Sequence, residues 1–550
     1  MHQSLLPFAV ASALAASGTA QHIIKSMTGD QPGANFGRTL AAVADLDGDG
    51  KPDLVVGEPQ RDFGGLSDAG AAAIVRTGAW VLGNRTFGSA VGGRLGGSVA
   101  GLGDVDNDNV PDWACGGPDA LTGISTVRIV SGATNFVLHQ LTGEVFSGFG
   151  AGICSIGDRN DDGFADFAIG APNNTTLTPN GTVRFYSGAD GGLLATLAGA
   201  SGTDFGKSLA TLGDVTGDGQ PEIAIGEPGA DANGTDSGRV RTKNPRDGVP
   251  GSYVWQSSLQ FATGHNAGLA VARLDDIDGD GRAEVLVAGD GNRVYAVSGT
   301  TGQVLFGVDN PEFGATPSVA GIGDWNGDGQ PDFAVGAPTA NFGSGRVFVY
   351  AATGTHALLG TIQGTGSSAF GSAVVGLGDL DGDGRVELAV GAPTHISAGI
   401  VVGRVTVHSF DIQPELTTFG QGCPGQNGTP SLYFAGTPNL GQSIDMHCGN
   451  LLANGIGMLI FGFSDTATGA IPLPMPLAVI GLPSCTLYAS LDLLEPFATP
   501  GTTLMTRTLA LPNVPSLATW QVFVQALQFD NAATGGISMS NAGSVYVGNL

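Results

Sequence analysis

The chain has 550 residues, enough for more than one domain and a large core. Charged residues make up only 13%, about half the usual share, while 92 are glycine and 42% are hydrophobic. That balance argues against bulk disorder and for an all-β chain rich in tight turns. The formal charge is −27, from 22 basic and 49 acidic residues, and no Lys/Arg cluster interrupts it. Nucleic acid and anionic membrane surfaces are therefore not expected partners.

Residues 1–20 carry an apolar run from Leu5 to Ala16 that leads into small residues. This pattern predicts a secretory signal peptide, although no Lys or Arg precedes the run; a buried segment is the alternative. No other stretch reaches the roughly 20 apolar residues of a membrane span. A secreted or cell-surface, extracellular or periplasmic, location is expected. Five cysteines (Cys115, Cys154, Cys423, Cys448 and Cys485) form no CxxC pair, which argues against zinc. One or two disulfides are compatible with export, and their pairing stays open.

From residue 21 to 412 the chain repeats itself. Seven acidic nonapeptides occur: DLDGDGKPD at 45, DVDNDNVPD at 104, DRNDDGFAD at 158, DVTGDGQPE at 214, DIDGDGRAE at 276, DWNGDGQPD at 324 and DLDGDGRVE at 379. They lie 48 to 62 residues apart. Nine residues ahead of the first Asp stands Phe-Gly at Phe36, Phe149, Phe205 and Phe370, with Leu95-Gly96 in the second copy. Phe313-Gly314 is displaced by two residues, and the fifth copy has Ala267-Gly268. After each loop an apolar run ends in Gly-x-Pro, as in LVVGEP and FAVGAP, except for VLVAGD in the fifth copy.

Each unit reads as four short strands: one before the acidic loop, one after it, one around a Gly-Arg-Val, and a fourth before the next Phe-Gly. Units of about 50 residues with four strands predict a β-propeller, and seven units predict seven blades. Ile23 to Met27 is expected to pair with Val405 to Phe410 and close the ring, removing exposed sheet edges. Residues 413–419 read as a linker. Residues 420–550 lack the acidic loops and predict a small β-sandwich module whose role is open.

The loops predict cation sites. Oxygen ligands recur at positions 1, 3, 5 and 9. These are Asp45, Asp47, Asp49 and Asp53; Asp104, Asp106, Asp108 and Asp112; Asp158, Asn160, Asp162 and Asp166; and Asp214, Thr216, Asp218 and Glu222. The last three loops give Asp276, Asp278, Asp280 and Glu284; Asp324, Asn326, Asp328 and Asp332; and Asp379, Asp381, Asp383 and Glu387. Hard oxygens at alternating positions suit Ca2+, one ion per blade and up to seven in all. Position 6 is Gly in six loops and Asn109 in the other, where the backbone must turn left-handed. Position 7 varies freely, consistent with use of its carbonyl alone. An EF-hand is excluded because position 12 is apolar throughout, from Val56 to Val390. A metal-free Asp-Gly turn is the remaining alternative, but turning alone does not require carboxylates at positions 1, 5 and 9. These positions hold 25 of the 49 acidic residues, and seven Ca2+ ions would bring −27 to −13. Asn160, Thr216 and Asn326 at position 3 predict weaker binding in three loops.

Phe-Gly, then DxDxDGxxD, then Gly-Ala-Pro resembles the FG-GAP repeat, the unit of the integrin α-subunit propeller. The resemblance covers roughly residues 22 to 412. It implies Ca2+ in the loops joining the first two strands of each blade, and ligand binding on the opposite face. A scaffold for extracellular protein binding or adhesion is therefore expected. A sugar-binding lectin is a second reading, but Trp80, Trp113, Trp255, Trp325 and Trp520 share no register. A polysaccharide-active enzyme is a third; no Gly-x-Ser-x-Gly or HExxH motif supports it, and no catalytic residue is expected. The stretch 239–256, with Arg239, Arg241, Lys243, Arg246, Tyr253 and Trp255, is either a contact patch or an insertion. Sequons at Asn84, Asn173, Asn174, Asn180, Asn233 and Asn427 would accept glycans in a eukaryotic secretory pathway.

Overall fold

The structure is a computed structural model. It describes residues 22–409 and 415–547, apart from 119, 174–179, 247–252, 258–260, 315–316, 383, 398, 440, 465–466, 469–470, 481, 483 and 513–520. The expected signal peptide, the position-5 ligand Asp383 and the sequon Asn174 lie outside the described residues. The chain divides into two compact units, His22–Phe410 and the part from Asp411 onward.

The first unit contains seven antiparallel sheets of four strands each, and we label the strands of each blade A to D. The A strands are Leu40–Val43, Ser98–Gly103, Ile153–Gly157, Leu209–Gly213, Ala270–Leu274, Ser318–Gly323 and Ala373–Gly376. Each A strand lies against that of the next blade, and the seventh returns to the first, so they form a closed ring. Strand B follows the acidic loop and is buried along its whole length in every blade, for example Asp53–Glu58 and Asp332–Ala337. Burial on both faces explains its unbroken apolar run. Strand D alternates and is largely exposed, as in Val137–Val145.

Six blades are built from consecutive strands. In the seventh, the chain's first strand, His22–Thr28, supplies strand D by pairing with Arg404–Ser409. Met27 stands opposite Val405 and Ile23 opposite His408.

The Phe-Gly and Gly-x-Pro signatures meet at the seams between blades. Phe36, Phe149, Phe205, Phe313 and Phe370 are buried, as are Leu95 and Ala267 in the same position. Blade five lacks the phenylalanine, and the buried Phe261 packs into that core beside Ala267 and Tyr295. At the glycines, backbone meets backbone. A Cβ on Gly57 would stand 2.1 Å from the Gly96 carbonyl oxygen, and one on Gly391 would stand 2.0 Å from that of Gly37. Gly96 has φ +86°, and a Cβ there would stand 2.0 Å from the Ala71 carbonyl oxygen. Only glycine fits both the conformation and the approach.

The second unit has a five-stranded sheet (Glu415–Phe419, Ile537–Tyr546, Gln521–Phe529, Ile456–Gly462, Leu493–Ala498) and a three-stranded sheet (Ser431–Ala435, Ser443–Gly449, Met505–Ala510). Leu432, Met446 and Cys448 of the smaller sheet share a core with Leu459, Phe461 and Val524 of the larger. The linker expected at 413–419 is corrected: Glu415–Phe419 is an edge strand of the larger sheet, paired with Ala542 to Tyr546. Its alternation was too short to separate from a polar connection. Cys423 and Cys485 form a disulfide, while Cys115, Cys154 and Cys448 are buried thiols. Burial pushes each of these three thiols up to about 12.

Candidate metal centres

All seven acidic loops join strand A to strand B, so they share one end of the ring. Each is wound around its first aspartate. One carboxylate oxygen of Asp45, Asp104, Asp158, Asp214, Asp276, Asp324 and Asp379 accepts the position-6 N–H at 2.7 to 2.9 Å. At position 6, Gly50 has φ +86° and Asn109 has φ +67°, the left-handed turn expected there. Position 4 is also left-handed, as in Gly48, Asn107 and Asp161, which sequence reading missed. The repeated Gly, Asn or Asp there was the available signal. Position 5 is fixed likewise: Asp49, Asp108, Asp162, Asp218, Asp280 and Asp328 each accept the position-7 N–H at 2.8 to 3.0 Å. The second oxygen of the first aspartate also accepts loop N–H groups, as Asp45 Oδ1 does from Gly48 at 2.6 Å, so a cation there would share oxygens with the backbone bonds.

The position-9 carboxylates behave differently. Asp53, Asp112, Asp166, Glu222, Glu284, Asp332 and Glu387 are fully buried. Each accepts the position-2 N–H, at 2.5 Å (Glu387) to 3.1 Å. In blades one to three the second oxygen accepts the N–H of Thr77, Gly132 or Gly188, which ties the loop to the end of strand C. In blades five and six the second oxygen, Glu284 Oε1 or Asp332 Oδ1, is buried without a hydrogen-bond partner among the described residues. Burial raises these acids: Asp112 to about 6, Asp332 to about 7 and Glu284 to about 8. The neighbouring aspartates add to the rise at Glu284. A buried anionic oxygen with no donor is a costly group, and a cation is its natural partner.

Four sets of carboxylates converge within 4.8 Å: Asp276, Asp278, Asp280 and Glu284; Asp45, Asp47 and Asp53; Asp104, Asp106 and Asp108; and Asp379, Asp381 and Glu387. The donor set is all oxygen, which fits Ca2+ better than a softer ion. The loops with Asn160, Thr216 or Asn326 form no such set among the described residues. Protein groups reach into them instead. Asn160 and Asn326 donate to Asp162 and Asp328 at 2.8 and 3.1 Å. Thr216 and Asn244 donate to Glu222, both at 3.0 Å.

Asn244 belongs to the irregular stretch 239–256. Strand C of blade four is regular (Arg239–Lys243), and strand D returns at Trp255–Ser257, so the irregularity is an insertion between them at the acidic end. Arg239 and Arg241 pair with the buried Glu227, and Arg246 pairs with Asp161 in the neighbouring loop. A free contact patch made by these three arginines is therefore corrected: their charges are spent within the chain. Of the tryptophans, Trp113, Trp255 and Trp325 are buried. Asn233 and Asn427 donate to backbone carbonyls, whereas Asn84 is exposed.

The FG-GAP repeat family matches residues 36–75 and 205–241, and the FG-GAP-like repeat matches 276–335 and 324–390. Integrin alpha-4 of Xenopus laevis is 32% identical over 148 residues, covering 25% of this chain and 14% of that protein. Integrin alpha-PS3 of Drosophila melanogaster is 33% identical over 170 residues, covering 28% and 15%. This chain thus spans about one seventh of the length of these relatives. A solved structure of BBS1N in complex with ARL6DN aligns over 71% of this chain and 97% of that one, at TM-score 0.45 and 11% identity. The chain carries FG-GAP repeats and is integrin-α-like in them.

Proposed function

We propose that this chain is an exported, calcium-stabilised propeller that binds protein ligands outside the cell, as a scaffold for recognition or adhesion rather than as an enzyme. The observation that carries the reading is the segregation of the ring's two ends. Acidic loops fill one end with a structural task, and the turns at the other end, between strands D and A and between B and C, are free to vary. Likeness to integrin α chains supports a protein ligand, and the Cys423–Cys485 disulfide fits an oxidising compartment. In the filled state Asp276, Asp278, Asp280 and Glu284 would hold one Ca2+, and the sets at 45, 104 and 379 would hold others. The ion would neutralise side chains that otherwise repel, so its binding energy would become folding energy.

The test is capture of surface proteins by the full chain, with Ca2+ and with chelator, alongside a glycan array. Specific protein capture that needs Ca2+ supports the reading. Glycan binding without protein capture would replace it with the lectin reading.

A further inference from the structure

The end of the ring opposite the acidic loops holds a cavity of about 350 Å3. It is built from the same two positions in three successive blades. Asn35, Arg94 and Ala369 each precede the Phe-Gly position, and Arg38, Gly97 and Ser372 each follow it. The two arginines are therefore departures from the repeat, brought together by ring closure between blades seven, one and two.

In a chain of net charge −27, several arginines of the propeller find acids, as Arg61 and Arg85 do in Glu58 and Arg346 in Glu312, and others such as Arg128 and Arg159 donate to amide or carbonyl oxygens. Arg38 and Arg94 pair with no carboxylate among the described residues, and Arg94 Nε is shut off from solvent with no hydrogen-bond partner. In blade four the same two positions hold Asp204 and Lys207, which attract each other. Here the positive charge is left over. A guanidinium held in a concave site without an anion is poised for bidentate pairing with one.

We infer that this cavity binds a carboxylate side chain of an acidic peptide segment in a partner protein. The inference rests on the protein-binding reading and gives that ligand its chemistry. Asn35 gives one amide N–H to Gln60 Oε1 at 2.8 Å and keeps a second as a neutral donor beside the arginines, while the Ser372 hydroxyl donates to the Ala369 carbonyl at 2.7 Å. No aromatic residue lines the cavity to stack on a sugar ring. On the loop that carries Arg94, Val91 is 51% exposed, and on the two turns linked to that loop Leu121 and Phe146 are 60% and 64% exposed. Leu121 donates its N–H to the Gly92 carbonyl, and Phe146 donates its N–H to that of Gly123, so the three are on connected turns. An apolar flank beside a cationic cavity suits a peptide that alternates acidic and apolar side chains better than a uronic-acid chain.

The test uses the full chain in Ca2+ and the fluorescein-labelled peptide Gly-Ser-Asp-Leu-Asp-Leu-Ser-Gly, read by anisotropy. Its counterpart with Asn for both Asp should bind at least roughly tenfold more weakly, and R38Q/R94Q should weaken the Asp peptide as much. Oligogalacturonate should not displace it. No binding of the Asp peptide, equal binding of the two peptides, an unaffected double variant, or displacement by oligogalacturonate overturns the inference. If R94Q fails to melt cooperatively, R38Q and R94K carry the comparison, with R94K expected to retain more affinity than R38Q. Capture of the same surface protein by wild type and by R38Q/R94Q would remove the cavity's role and leave the protein-binding reading standing. Peptide binding without any captured protein would do the reverse.

Discussion

A glycine in this ring is either a turn or a seam, and the two are separable by mutation. Gly33 has φ +75° with nothing within 4 Å of where a methyl group would stand, so Gly33→Ala meets conformational strain alone. That strain is about 1–2 kcal/mol. Gly96 has a similar φ, but its Cβ would overlap the Ala71 carbonyl, so Gly96→Ala should cost more, by roughly 1–3 kcal/mol. Denaturant unfolding of both variants isolates the interblade approach as their difference. Equal losses would show that the seam yields freely. A second residue-scale effect concerns His408 in the closing blade. It is buried, its Nε2 meets Thr406 Oγ1 at 2.8 Å, and burial lowers it to about 4. Its folded value lies below the unfolded value near 6.5, so its contribution is complete above pH 6.5 and is lost as pH falls towards 4. The full loss is on the order of 3 kcal/mol. His408→Gln should flatten the stability profile between those pH values, as read by thermal melts.

At the scale of the element, the A–B loop is a hydrogen-bonded frame with a carboxylate that opposes it. Glu284 is raised to about 8 in the absence of an ion, above its unfolded value of 4.5. The folded chain therefore holds this proton more tightly. Stability falls as pH rises from 4.5 to 8, and a cation held by the carboxylate would restore it. Glu284→Gln should then stabilise the chelator-treated protein at pH 8 by roughly 1–3 kcal/mol, while cutting the gain in melting temperature that Ca2+ gives. Asp218→Asn, in a loop where Thr216 and Asn244 already donate, should change the Ca2+ gain much less. Calorimetric melts of the three proteins, with and without Ca2+, check both statements, and equal Ca2+ gains would refute them. The spacing of the carboxylates that frame the loop was legible in the sequence because the loop's own hydrogen bonds are local. What was not legible depends on long-range contacts. Asn244, just past strand C of its blade, meets Glu222 only once strands B and C pair, and position 9 finds its second donor at Thr77 or Gly132, each just past strand C. The same applies to Arg38 and Arg94, which are 56 residues apart and meet only after the blades assemble. Glu415–Phe419 was missed for a related reason: an edge strand of five residues is defined by its partner, Ala542 to Tyr546.

For the whole molecule, the decisive contact is the one that joins the two ends of the repeat array. Repeats predict their own blades, and the odd strand at the front of the array predicts where it must go. His22–Thr28 completes the seventh sheet against Arg404–Ser409. Without it, strand C of that blade becomes a sheet edge with unpaired N–H and C=O groups, and His408 loses its cover. Neighbouring blades meet along the A strands and the glycine seams, so loosening one blade relaxes the closure on both sides. Deleting residues 22–28 should therefore raise the mass of the species in solution above that of the intact protein, by association through the open edge, and should lower the melting temperature more than any single loop variant. A peptide with the sequence HIIKSMT, added in trans, should restore the mass of the intact protein by supplying the missing strand. A scrambled peptide should not. Light scattering with size-exclusion chromatography reads the outcome, and a truncated chain that keeps the intact protein's association state and melting temperature would show that the ring closes without this strand.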